Sequence, residues 1–180
     1  MTLSIQEIAE RFQFPPAPQA APNALAPETA GGASTPGASN PAAVPAAPAT
    51  AVQIIDYASR GYHLDVRVTP DRLVAAATLL DQLGFGLDTI TGVDWMADGQ
   101  MEVVYDFFHP EAIWRVVVRT RIPRDCPEVP TLTPVFAGAN WHERETHDFF
   151  GIKFEGHPNL TPFLLPEDAD YHPLRKDFSS

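Results

Sequence analysis

Apolar and polar positions alternate in four stretches of this chain and follow a helical period in three others. Tyr62, Leu64, Val66 and Val68 alternate with His63, Asp65 and Arg67, the period of a half-buried strand. Thr69 as N-cap, Pro70 at the first helical position and Asp71 in the first turn then open a helix. It carries Leu73, Val74, Ala77, Leu80 and Leu83, and Gly84 ends it. Residues 86–94 predict a second strand and residues 97–99 a turn. Residues 101–108 form a third strand, with Met101, Val103, Tyr105 and Phe107 on one face. His109-Pro110-Glu111 turns the chain into a fourth strand over residues 112–121. That strand sets Trp114, Val116 and Val118 against Arg115, Arg119 and Arg121, and the arginines predict a solvated stripe in preference to a partner-facing one. The order predicts an α+β fold: a mixed, largely antiparallel sheet of about four strands with helices on one face.

The ends of the chain differ from this middle. Ser4 and Glu7 have capping-box spacing, and Ile5, Ile8, Ala9 and Phe12 form one apolar stripe, which predicts a short amphipathic helix within residues 1–14. About three turns is too short to stand alone in water, so this helix packs on its own domain or docks on a partner; we carry it as a docking helix. Residues 15–52 are dominated by Ala and Pro, with nine of the 19 prolines and Glu28 as the only charge. Such a segment has little apolar area with which to offset the entropy of ordering, and it reads as a semi-rigid linker. The globular domain is expected over residues 53–180, with 153–180 an extended tail that is neither helical nor stranded.

Composition narrows the function classes. The 180 residues carry 23 acidic and 12 basic side chains, a formal net charge of -11, which disfavours nucleic acid as a partner. No apolar run approaches the ~20 residues that span a bilayer, and the start of the chain lacks the pattern of a secretory signal. Cys126 is the only cysteine, so this chain alone holds no disulfide, no Cys-based zinc site and no iron–sulfur cluster.

The densest chemistry lies in residues 140–152. Asn140 and Glu143 have the spacing of a helix start, Arg144 and Asp148 stand at i, i+4 and can pair, as can Glu143 and His147, and Gly151 suits the helix end. This describes a solvent-bridging helix anchored by Trp141, Phe149, Phe150 and Ile152. His142-Glu143 followed by His147 superficially suggests a zinc hydrolase. That motif needs histidines four apart, and five apart puts them about 140° round the helix. No nucleophile elbow and no Gly-rich phosphate loop is present, and Cys126 has no basic helix start beside it.

The tail sets Pro158, Pro162, Pro166 and Pro173 among Phe154, Leu160, Phe163, Leu164, Leu165, Tyr171 and Leu174. A linker would not be this apolar, so the tail is expected to lie along a groove, its own or a neighbour's. The run Asn140-Trp141-x-Glu143-Arg144-Glu145-x-x-Asp148-Phe149-Phe150-Gly151-Ile152, then Phe154-Glu155-Gly156-His157-Pro158-x-Leu160, Leu164-Leu165-Pro166-Glu167-Asp168 and His172-Pro173-Leu174-Arg175-Lys176-Asp177 resembles the 30-kDa subunit family of respiratory complex I. The resemblance covers about residues 53–177. Thr161-Pro162 and Phe163 depart from it, where the family has basic and aliphatic residues.

The resemblance implies a subunit without a cofactor or catalytic residue of its own, in the peripheral arm on the cytoplasmic side of the bacterial inner membrane. FMN, iron–sulfur clusters and quinone would belong to other subunits of an NADH:quinone oxidoreductase coupled to proton translocation. The implied partners are the 49-kDa-type subunit, akin to the large subunit of hydrogenases, and neighbouring iron–sulfur subunits. The expected interface is Trp141, Glu143, Arg144, Glu145, Asp148, Phe149 and Phe150, with His157, Leu160, Leu164, Leu165, Pro166, Glu167, Asp168, His172, Arg175, Lys176 and Asp177 from the tail. A homologous subunit in group 4 nickel–iron hydrogenases and formate hydrogenlyases is the alternative.

Overall fold

The computed structural model describes residues 4–13 and 50–179. The Ala/Pro-rich stretch as far as residue 49 lies outside them. Helix α1 (Ile5–Arg11) has the expected capping box, with Glu7 N–H donating to the Ser4 hydroxyl and Ser4 N–H to the Glu7 carboxylate. Its Ile5 and Ile8, with Phe12, are buried in this chain's own core and the helix lies against β1 (Thr50–Ile54), so its apolar stripe is spent inside the molecule.

Five strands form the main sheet in the order β1-β2-β5-β4-β3. β2 is Leu64–Val68, β3 Gly86–Trp95, β4 Gln100–His109 and β5 Trp114–Pro123. Neighbours are antiparallel except β2 and β5, which run parallel with Leu64 opposite Val116. The sheet has one strand more than expected. β1 is an edge strand whose Thr50-Ala51-Val52 start shares the small-residue composition of the preceding stretch, and the boundary expected at residue 52 falls inside it. A one-turn helix α2 (Tyr57–Arg60), capped by the Asp56 side chain, leads into β2.

The inner face holds Leu64, Val66, Val68, Met101, Val103, Tyr105, Phe107, Val116, Val118 and Ile122. Helix α3 (Pro70–Gln82) packs on it through Leu73, Ala76, Ala77 and Leu80. Thr69 is its N-cap by position, but its hydroxyl caps nothing; Pro70 at the first turn lacks an N–H in any case. Helix α4 (Ala139–Phe150) lies against β3, where Gly92 permits the approach: a Cβ there would stand 2.5 Å from the Phe150 ring. The main helices thus share one face, as the pattern predicts.

On the opposite face the arginine stripe is not simply solvated. Arg119 Nε donates to buried Asp65 at 3.0 Å, and Arg121 lies 3.5 Å from buried Glu102. Arg115 pairs with Asp88 and Asp106. Acids on the neighbouring strands β2 and β4, and Asp88 one strand further on β3, match the bases, so the polar face closes on itself in cross-strand ion pairs.

The tail also departs from expectation at its start. β7 (Lys153–Glu155) pairs in parallel with β6 (Glu128–Pro130), and Val129 and Phe154 are buried from the two strands. Three residues are too few to show an alternation in sequence.

A candidate partner interface on helix α4 and the tail

Helix α4 begins earlier than Asn140. Successive turns, with Val135 and Phe136 N–H to Leu132 O and Ala139 N–H to Phe136 O, wind the chain into the helix, and Gly138 is the N-cap. Ala139, Glu143, Thr146 and Phe150, at i, i+4, i+7 and i+11, are its buried stripe. A carboxylate therefore occupies a core position.

Glu143 is fully buried. Its Oε1 accepts the Leu132 N–H at 2.7 Å and its Oε2 lies 2.5 Å from Thr131 Oγ1. Burial pushes its carboxyl up to about 7, against those two hydrogen bonds. His157 Nε2 is 3.9 Å away, and burial holds that imidazole below its ordinary value.

Asp148 behaves in the opposite way. Its Oδ2 accepts three successive backbone N–H groups, Phe163 at 2.9 Å, Leu164 at 2.7 Å and Leu165 at 3.1 Å. Burial favours the protonated acid, but the three N–H groups together outweigh it and hold the carboxyl below its usual range. The expected i, i+4 pairs do not form. Arg144 turns to the Thr161 and Pro162 carbonyls at 3.0 and 2.9 Å, and the His147 Nδ1–H donates to Ile152 O at 2.9 Å. Both buried α4 carboxylates hydrogen-bond to other segments, so the helix is a structural hub and not a solvent-bridging element.

The last turn of α4 explains the end of the tail. Four helix carbonyls need donors outside the helix. Gly151 N–H reaches His147 O at 2.8 Å, with Gly151 at φ 71°. The His172 Nδ1–H donates to Asp148 O at 2.8 Å, Leu174 N–H to Phe149 O at 3.1 Å and Arg175 Nε–H to Phe150 O at 2.7 Å. A Cβ on Gly151 would stand 2.5 Å from both the His172 and Arg175 side chains. One step further, Lys176 N–H donates to buried Asp94 at 2.9 Å, and Arg124 bridges Asp94 and Asp177 at 2.9 and 2.6 Å. Arg124 and Lys176 hold Asp94 below the usual carboxylate range.

Of the expected interface residues, Glu143, Asp148 and Phe150 are buried in the chain. His157, His172 and Arg175 donate to its carbonyls, while Phe149, Leu160 and Leu165 are half-buried. The outward-facing residues are Trp141, Glu145, Leu164, Pro166, Glu167 and Asp168, with Lys176 and Asp177 also accessible while tied at the backbone or carboxylate. Phe163, Tyr171, Leu174 and Phe178 are also at the surface, an exposure the tail's apolar content announced without saying which side chains face out. The Arg144 guanidinium packs beside both the Trp141 and Phe163 rings, 5.6 and 4.9 Å from centroids that are themselves 5.2 Å apart. No carboxylate among the described residues forms an ion pair with it. Nor does any group of three His, Cys, Asp or Glu among those residues form a metal site.

The molecule is thus an α+β domain with a folded tail strapped to its fourth helix. A family model described as respiratory-chain NADH dehydrogenase, 30 Kd subunit, matches residues 66–180, and the chain belongs to that family. An NADH-quinone oxidoreductase subunit from Roseiflexus sp. (strain RS-1) is 43% identical over 119 residues, 63% of this chain and 68% of that protein. An F(420)H(2) dehydrogenase subunit from Methanosarcina mazei is 40% identical over 96 residues, 51% of this chain and 59% of its own. A chain in the structure of the membrane-bound sulfane sulfur reductase (MBS), an archaeal respiratory membrane complex, aligns with a TM-score of 0.64 at 31% identity, over 74% of this chain and 79% of that one.

Proposed function

We propose that this chain is a peripheral-arm subunit of a membrane-associated NADH:quinone oxidoreductase, and that it serves as a scaffold with no active site or cofactor of its own. The observation that carries the scaffold role is the α4–tail surface. Trp141, Phe163, Leu164 and Leu174 are 40–56% exposed, yet Trp141 is fixed within α4, Phe163 and Leu164 by Asp148, and Leu174 by the Phe149 carbonyl. Large exposed apolar groups on a preorganised frame suit a stable interface, because little ordering entropy remains to be lost on docking. The partner is the 49-kDa-type subunit, with neighbouring iron–sulfur subunits that carry the electrons. Arg144, in no ion pair with a carboxylate of the described residues, is positioned to bind one from that partner. No helix among the described residues is long and apolar enough to cross a membrane, so attachment on the cytoplasmic side would come through the complex.

A complex with another electron donor is the second reading, favoured by the likeness to the F(420)H(2) dehydrogenase subunit and to the sulfane sulfur reductase chain. Co-purification of the tagged full-length chain separates the two. The first reading expects an NADH-binding flavoprotein and the large partner subunit; recovery of a donor module without NADH chemistry selects the second. The Trp141→Ala/Leu164→Ala variant is expected to lower recovery of the partner at least about tenfold, since two buried anchors are worth more than about 1.4 kcal/mol. Undiminished recovery, or turnover of any substrate by the isolated chain, sinks the scaffold reading.

A further inference from the structure

Glu143 lies on the core stripe of α4 with no cation of the described residues held against it. Its own helix turns Arg144 and His147 away, toward the 161–162 carbonyls and Ile152 O. From β4, Tyr105 is wholly buried, and its hydroxyl has no partner among the described residues. From the loop after β7, His157 accepts the Asn159 N–H at Nδ1 and so presents Nε2–H, which donates to Asn140 O at 3.3 Å. That tautomer is neutral. An ionised Glu143 would therefore be a buried charge without a counter-charge.

The two threonines supply a way for a proton to reach it. Thr131 Oγ1 is 2.5 Å from Glu143 Oε2 and 3.0 Å from Thr133 Oγ1, where either hydroxyl can donate. Thr131 is buried and Thr133 half-buried, so the row of oxygens runs from the core toward the surface. Each hydroxyl has one proton and spare lone pairs, so the row closes in two directions. With Glu143 ionised, Thr133 donates to Thr131 and Thr131 to Oε2. With Glu143 protonated, Oε2–H donates to Thr131, and Thr131 to Thr133. We propose that Glu143 is a buried proton-binding site that exchanges its proton with solvent through the Thr131 and Thr133 hydroxyls. On uptake, water delivers one proton to Thr133, Thr133 passes its own to Thr131, and Thr131 passes its own to Oε2. Each hydroxyl gives one proton and receives one, and the carboxylate gains one.

The site is independent of the partner surface, and the same Glu143 carboxyl reads out both its affinity and its path. Isotope-edited infrared spectra of the full-length chain carrying 13C-carboxyl glutamate are recorded between about pH 5 and about pH 9. A buried carboxylic-acid band is expected at the acid end, lost at the alkaline end with a midpoint near 7, and missing in Glu143→Gln. Thr131→Val removes a donor to the ionised form and is expected to move the midpoint upward, which tests the site even if the glutamine variant fails to fold. Thr133→Val is expected to leave the acid band in place but slow its appearance after a pH jump by about tenfold or more. A carboxylate ionised throughout the range overturns the site. Unchanged kinetics in Thr133→Val overturns the path.

Discussion

The two ends of helix α4 each bury a carboxylate, and they treat it in opposite ways. Asp148, near the C-terminal end, meets three backbone N–H groups and stays ionised. Glu143, near the N-terminal end, meets one N–H and one hydroxyl, and burial prevails. Both are nearly inaccessible to solvent, yet Glu143 lies deeper among protein atoms than Asp148. Depth and donor number act together: the deeper site has two donors and desolvation wins, the shallower has three and hydrogen bonding wins. One carboxylate is therefore a fixed charge that shapes the tail, and the other a titrating group that staples a loop.

The largest effect is expected at Asp148. Replacing it by alanine strands three N–H groups of residues 163–165 or sends them to water with the tail. A loss of about 4 kcal/mol in urea unfolding is expected, with new proteolytic cuts after Thr161. A loss below about 1 kcal/mol with a protected tail would mean that the three hydrogen bonds do not organise it.

The pH dependence of stability sharpens the contrast, because the signs differ. Glu143 binds its proton more tightly folded than unfolded, so its contribution is complete below its ordinary value of 4.5. It is lost as pH rises to about 7, by roughly 3 kcal/mol. Asp148 contributes above its ordinary value of 3.8 and loses that contribution as pH falls through its lowered folded value. Glu143→Gln, which keeps a carbonyl for the Leu132 N–H, is expected to flatten the slope between about pH 4.5 and about pH 7 in chemical unfolding. A slope unchanged by that substitution assigns it to another group.

The smallest effect comes from the third carboxylate of the helix. Glu145 is exposed, and Glu145→Ala should change unfolding stability by less than about 0.5 kcal/mol. A larger loss would show that position on the helix, and not the number of donors, sets the importance of these acids.

Sequence periodicity identified the layers well, because the apolar faces of β4 and β5 and of α3 are long enough to repeat. β6 and β7 are too short for that, and β1 takes its small residues from the composition before it. In α4 the charges read as i, i+4 pairs, since Arg144 and Asp148 are spaced to meet. The backbone of residues 161–165 outcompeted that pairing by offering each a better-placed partner. Glu143 had a local signal in its place on the 139–143–146–150 stripe. The pattern of the last residues was legible as a resemblance, but their role was not. His172, Leu174, Arg175 and Lys176 serve carbonyls and a carboxylate 24 to 82 positions earlier, and short-range spacing cannot report such contacts.

That separation has a consequence for biogenesis. Asp94 leaves the ribosome 82 positions ahead of the Lys176 amide that completes its hydrogen bonding beside Arg124, and the carbonyls of the last turn of α4 await residues almost as late. A nascent chain can assemble its sheet and pair Asp94 with Arg124 during translation, but Asp94 lacks its backbone donor and the last turn of α4 keeps three unmet carbonyls until residues 172–177 have emerged. Native closure is thereby deferred, and a product cut short before them would expose its own incompleteness to quality control.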